Sequence, residues 1–171
     1  HRLTIDIDNR NDSMNFVMDI PDGFDSASEE KIPLIIALHF AGGDGESYLT
    51  NLVKPAFQSL DAIIVSPDVM GDLWWDNYSE SVLMSFIKNA IVRWPVDPSK
   101  IIVTGYSNGG TGTWHLTNKY PEIFSAGIPM ASSPILETNT GKVPMFIIHG
   151  DQDELFYFRN VSTVAQALIK E

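Results

Sequence analysis

The 171-residue sequence contains no cysteine, which excludes disulfide staples, thiol nucleophiles and thiolate metal sites. Histidine is scarce, with four residues, so imidazole chemistry has few possible carriers. Basic residues number 11 against 22 acidic ones; the resulting formal charge of −11 repels a phosphate backbone and argues against a nucleic-acid partner. No apolar run approaches the ~18–20 residues that a transmembrane segment needs. Repeats are absent, and the only biased stretch is a Ser/Glu-rich loop at residues 25–30. What remains is an ordinary globular composition, 44% hydrophobic and 19% charged, of a length that suits one domain. Such a chain can bury roughly 70% of its unfolded surface without staples. It opens on His1 rather than Met, as expected of a processed or excised chain; with the lack of cysteine, this leans toward an exported protein.

Two extended segments come first. Residues 3–7 alternate apolar and polar, residues 14–20 set Phe16, Met18 and Ile20 on one face, and residues 8–13 have turn chemistry, together an antiparallel hairpin. Continuous apolar runs follow at residues 33–40, 62–66, 101–104 and 143–148, the pattern of strands covered on both faces. Between them, residues 81–94 repeat apolar positions at helical spacing up to Pro95. Residues 108–120 run as a helix to Pro121, and residues 161–169 as a last one. The alternation predicts an α/β fold, a three-layer sandwich with a mostly parallel sheet and an N-terminal antiparallel hairpin. In such folds the chemistry gathers at the carboxyl ends of the parallel strands.

Three loops leave those ends. Gly105-Tyr106-Ser107-Asn108-Gly109 lies between a strand and a helix, where G-x-S-x-G holds a serine at a sharp corner. Glycines two residues before and after let backbones approach, and the helix N-terminus faces the reaction centre. A glycine turn without a nucleophile is the plainer reading, and the strand–turn–helix context argues against it. The loop His39-Phe40-Ala41-Gly42-Gly43 suits an oxyanion hole, with the backbone N–H groups of Ala41 and Asn108 as candidate donors. The third loop, His149-Gly150-Asp151-Gln152-Asp153, offers two carboxylates that could orient an imidazole. A metal site there lacks a second ligand cluster, and no cofactor or metal is implied. Trp74 and Trp75, in the polar stretch at residues 71–78, are candidates to wall a substrate pocket, with Met70, Phe156, Tyr157 and Phe158 able to join them. Burial of one indole as a loop anchor is the alternative.

The H-x-A-G-G loop, G-Y-S-N-G-G and H-G-D-x-D, in that order, resemble the α/β-hydrolase superfamily from about residue 33 onward. The stretches at residues 107–114 and 119–126, with Val96-Asp97-Pro98-Ser99-Lys100-Ile101 before the nucleophile strand, are similar to three of its branches. These are the phospholipase/carboxylesterase-like "predicted peptidase" group, the polyhydroxybutyrate-depolymerase-like group and the feruloyl esterases. The resemblance implies Ser107 as nucleophile and Asp153, fifth in H-G-x-x-D, as the triad acid, with Asp151 the alternative and His149 structural. One departure stands out: Phe40 occupies the place of the family's usual glycine after the oxyanion-loop histidine.

The resemblance also implies a histidine base after the acid, and none of the four histidines follows Asp153. His115 lies eight residues beyond Ser107, more than two helical turns away at ~1.5 Å per residue, and is expected to serve structure. The family's further strand and closing helix are likewise absent, so the base is expected on a segment after Glu171, with residues 143–148 left as a sheet edge open to self-association. The expected activity is hydrolysis of carboxylic esters through an acyl-enzyme, on a small-molecule or carbohydrate-linked ester such as a feruloyl or acetyl ester. A prolyl-oligopeptidase-like serine peptidase is one rival, and a non-catalytic binding protein on a hydrolase fold is another.

Overall fold

A computed structural model describes residues 2–7, 12–135 and 142–169. Six strands form one sheet: β1 (Arg2–Ile7), β2 (Asp12–Asp19), β3 (Ile32–Leu38), β4 (Ile63–Pro67), β5 (Val96–Tyr106) and β6 (Ala126–Met130). Their order is β1-β2-β4-β3-β5-β6. The β1–β2 and β2–β4 pairs are antiparallel, whereas β3–β4, β3–β5 and β5–β6 are parallel. The expected hairpin is present, although residues 8–11 of its turn lie outside the described residues.

Three differences from the sequence reading have local causes. β6 was not anticipated, because Gly127 and Pro129 break up its apolar pattern. Gly127 lets neighbouring side chains close in: a Cβ there would lie 2.7 Å from Met145 Sδ and 2.8 Å from Thr117 Cγ2. β5 begins five residues before residue 101. Val96 pairs with Ile32 and Ile101 with Leu34, so the residues around Pro98, which has no N–H to donate, bow out of the ladder. Residues 143–148 form two parallel bridges to β6, Gly127–Met145 and Met130–Ile148, rather than a full strand. Pro144 accepts from the Gly127 amide through its carbonyl but has no N–H to return.

Helices cover both faces. Helix α3 (Asn77–Arg93) starts four residues before the expected residue 81, so Tyr78 belongs to the helix rather than the aromatic loop. Asp76 caps it, accepting from the backbone N–H groups of Tyr78 and Ser79 at 3.0 and 2.8 Å and from the Ser79 hydroxyl at 2.8 Å. Val82, Leu83, Phe86 and Ile87 of α3 pack with Met14, Phe16, Leu34, Ile36 and Leu38 in the larger core. Helix α4 (Asn108–Lys119) follows the serine and sends Leu116 into the same core. On the opposite face, α1 (Gly45–Tyr48), a π-helical stretch (Leu49–Val53) and α2 (Lys54–Phe57) cover Val17, Ile35, Ala37 and Ile64. This short helical run also went unforeseen, with Pro55 inside it. Helix α5 (Phe158–Ile169) buries only Val161 among its described residues.

Candidate active site

Four loops leave the same edge of the sheet, the carboxyl ends of β3, β4, β5 and of residues 143–148. Ser107 stands between β5 and α4 with φ 55° and ψ −113°, a left-handed backbone that a non-glycine residue adopts only when its surroundings compel it. The surrounding glycines explain how it is held. A Cβ on Gly105 would sit 2.2 Å from the Gly109 carbonyl, one on Gly109 1.9 Å from the Leu38 carbonyl oxygen, and one on Gly110 2.5 Å from Ser132 Oγ. The turn is therefore clamped between β3, β6 and its own helix. The Ser107 amide donates to the Met130 carbonyl at 3.0 Å, and the Ser107 carbonyl accepts from Thr111 in the first turn of α4.

Beside this elbow opens a cleft of about 500 Å3, lined among others by Phe40, Ala41, Gly42, Gly43, Trp74 and Asn108. The structure thus brings the two candidate oxyanion residues to one cavity. Gly42 at φ +75° turns the loop, and the Gly43 amide closes it on the Phe40 carbonyl at 3.0 Å. Phe40 takes no left-handed conformation; the positive φ falls on Gly42 instead, so a bulky residue after His39 is accommodated. The Asn108 side chain donates through Nδ2 to the Asp72 carbonyl at 3.2 Å, tying the aromatic loop to the elbow.

Trp74 is 1% exposed, its indole N–H donates to the His39 carbonyl at 2.8 Å, and its Cβ lies where a side chain on Gly112 would be. It is a floor of the cleft and an anchor of its loop, the alternative considered from the sequence. Trp75 is half-buried against the main core and is not among the described residues lining the cleft; Met70, Phe156, Tyr157 and Phe158 are likewise not among them.

Asp153 lies in the turn after residues 143–148. Its Oδ1 accepts from the amides of Phe156 at 2.8 Å and Leu155 at 2.9 Å. The Phe156 amide foremost, helped by that of Leu155 and the nearby His149, holds its carboxyl below the usual carboxylate range against desolvation, the second-largest influence. Among the described residues, Oδ2 has only His149 Nε2 beside it, at 3.5 Å. Asp151 is exposed.

The histidines divide cleanly. His39 Nδ1 donates to its neighbour's carbonyl, Phe40, at 2.7 Å while Nε2 accepts from the Val69 amide at 3.2 Å, which fixes the tautomer and commits both nitrogens. His149 Nε2 donates to the Phe156 carbonyl at 2.6 Å and closes the Asp153 turn. His115 Nε2 donates to Glu80 Oε2 at 2.5 Å, between α3 and α4. All three serve the scaffold; His1 lies outside the described residues. Glu80 went unnoticed in the sequence because its partners, His115, Lys119 and Tyr120, lie 35–40 positions away.

The same architecture recurs in solved structures. A thermostable esterase superimposes with a TM-score of 0.81 at 18% identity, covering 99% of this chain and 51% of its own. The acetyl xylan esterase from Aspergillus awamori gives 0.73 at 18% identity, covering 99% and 80%. These likenesses establish an α/β-hydrolase fold. In sequence, the acetylxylan esterase of Coprinopsis cinerea is 33% identical over 131 residues, 65% of this chain and 34% of its own length. Feruloyl esterase B of Thermothelomyces thermophilus is 24% identical over 121 residues, 63% of this chain and 40% of its own length. The chain therefore spans little more than a third of the length of these relatives. Residues 56–171, which carry the elbow, the aromatic loop and the Asp153 turn, match the Dienelactone hydrolase family, and to that family this chain belongs.

Proposed function

We propose that the protein is a serine hydrolase of carboxylic esters, with Ser107 as nucleophile. The observation that carries this reading is the left-handed Ser107 backbone, clamped by Gly105, Gly109 and Gly110 against neighbouring main chain. Strain of this kind is retained where the side chain must stand proud of the sheet. Attack of Ser107 Oγ on the ester carbonyl forms the C–O bond of a tetrahedral intermediate, and its oxyanion is met by the N–H groups of Ala41 and Asn108. Collapse expels the alcohol, protonated by the base, and water repeats the sequence on the acyl-enzyme to release the acid. Asp153, through Oδ2, orients the imidazole that takes the serine proton and balances its charge.

That imidazole belongs to none of the three described histidines, whose bonds commit them elsewhere. In this reading the proton is taken by an imidazole that the described residues do not supply. The acetylxylan and feruloyl esterases among the relatives support an acetyl or feruloyl ester of carbohydrate as substrate.

The test is turnover of p-nitrophenyl acetate by the protein expressed from its full reading frame. Turnover is expected to be abolished by Ser107→Ala and reduced by a factor of about 10⁴ in Asp153→Asn, as for other triads. Turnover that survives Ser107→Ala refutes the reading. The engagement of every described histidine favours a second reading, a binding protein on a hydrolase fold, which predicts no turnover with any ester.

A further inference from the structure

We propose that Tyr106 and Phe40 form an aromatic subsite on the lip of the elbow that takes a planar aryl group carried by the ester. The inference rests on the ester-hydrolase reading for its substrate and names a surface that reading does not use. Tyr106 ends β5, a central strand between β3 and β6, yet the residue is 40% exposed while residues 103–105 before it are buried. It is joined directly to Ser107. A large ring left open at the middle of a sheet, next to the nucleophile, is a contact surface in search of apolar area.

Phe40 gives that surface a second wall. β3 and β5 run parallel with Leu38 opposite Gly105, so the residues just beyond meet across the strand ends. The Phe40 and Tyr106 rings stand edge-to-face, centroids 6.2 Å apart and planes at 88°. Two perpendicular rings make a corner in which a third can stack on one and present its edge to the other, the two arrangements aromatic rings prefer. Phe40 is a fixed wall: its ring packs on the smaller core, and its Cε2 lies where a Cβ on Gly43 would come within 3.1 Å. Phe40 also lines the cleft that holds Ala41 and Asn108, so one wall of the corner is shared with the proposed oxyanion hole. Trp74 cannot play this part, being 1% exposed with its N–H committed.

An aryl group can sit on the acyl or the alcohol side of the ester, and the test separates them. Ser107→Ala protein is titrated by NMR with methyl cinnamate (ring on the acyl side), phenyl acetate (ring on the alcohol side) and methyl acetate (no ring). Saturable binding is expected for at least one aryl ester, with methyl acetate at least tenfold weaker. Adding Tyr106→Ala is expected to weaken the aryl ester about tenfold, whereas Tyr106→Phe, which keeps the ring, stays within about twofold. Phe40→Leu, which keeps bulk but removes the aromatic wall, is expected to weaken it as well; it decides the matter if Tyr106→Ala does not fold. No saturable aryl binding, equal binding of methyl acetate, or an unchanged Kd in both ring-removing variants overturns the proposal. Because Ser107→Ala cannot turn over, binding is read apart from catalysis. Failure of the hydrolase reading appears instead as absent Ser107-dependent turnover with the aryl contact intact.

Discussion

Replacing Glu80 is expected to loosen α4, the helix that follows Ser107. Glu80 is 6% exposed in the first turn of α3 and gathers three donors from the far end of α4. His115 Nε2 reaches it at 2.5 Å, Lys119 Nζ bridges both oxygens at 2.7 and 2.9 Å, and the Tyr120 hydroxyl donates to Oε1. Helix α4 needs this tether, since Gly109, Gly110 and Gly112 weaken it near its start. In Glu80→Ala the buried Nε2 of His115 loses its Glu80 acceptor, while the Lys119 ammonium, 36% exposed, can turn to water. The cost should fall near the low end of the range for breaking a buried pair, about 3 kcal/mol. For a domain of this size that lowers Tm by roughly 6–12 °C.

Glu80→Gln preserves the shape and one acceptor and should cost less than half as much. Burial pushes the Glu80 carboxyl up, but the Lys119, Tyr120 and His115 donors together hold it below its ordinary value of 4.5. A depressed folded pKa stabilises the fold fully above the unfolded pKa, and this contribution is lost as pH falls through the folded one. The wild type should therefore lose stability below about pH 4.5 with a steeper acid limb than Glu80→Gln. Urea denaturation at pH 7 and pH 3.5 measures both effects. A Glu80→Ala cost under about 1 kcal/mol, or identical acid limbs, refutes the reasoning.

Other expectations concern the elbow and its supports. Gly109→Ala places a Cβ 1.9 Å from the Leu38 carbonyl and should cost more than about 3 kcal/mol in a urea melt. Gly42→Ala meets open space and should pay only for its φ of +75°, about 1–2 kcal/mol. Asp76→Ala removes the cap of α3 and should cost about 1–2 kcal/mol by thermal denaturation. Tyr48→Phe should raise stability by about 1 kcal/mol, because the hydroxyl is buried without a partner among the described residues and burial pushes its pKa up.

What the sequence disclosed depended on how local each signal was. The G-x-S-x-G corner, the β3 loop and the H-G-x-x-D turn are contiguous motifs, and each lies at the expected edge of the sheet. The helix after the serine ends at Lys119, one residue from the expected stop, because Pro121 enforces it locally. Signals that required the tertiary structure were misread or missed. Gly127 and Pro129 hid β6, a strand that forms because β5 supplies its partner. The aromatic loop divides in a way its sequence does not show: Trp74 lines the cleft while its N–H is drawn inward by the His39 carbonyl, 35 positions away, and Trp75 packs on the main core. Tyr106 and Phe40, read only as motif letters, carry the open aromatic surface beside Ser107, since their meeting depends on strand register alone.

Whether Ser107 is an activated nucleophile is tested most directly by treating the protein from the full reading frame with a fluorophosphonate and mapping the adduct by peptide mass spectrometry. A single stoichiometric adduct on Ser107, formed faster than on free serine and slowed in Asp153→Asn, is the predicted result. No adduct on folded protein, or an adduct elsewhere that persists in Ser107→Ala, would contradict the account.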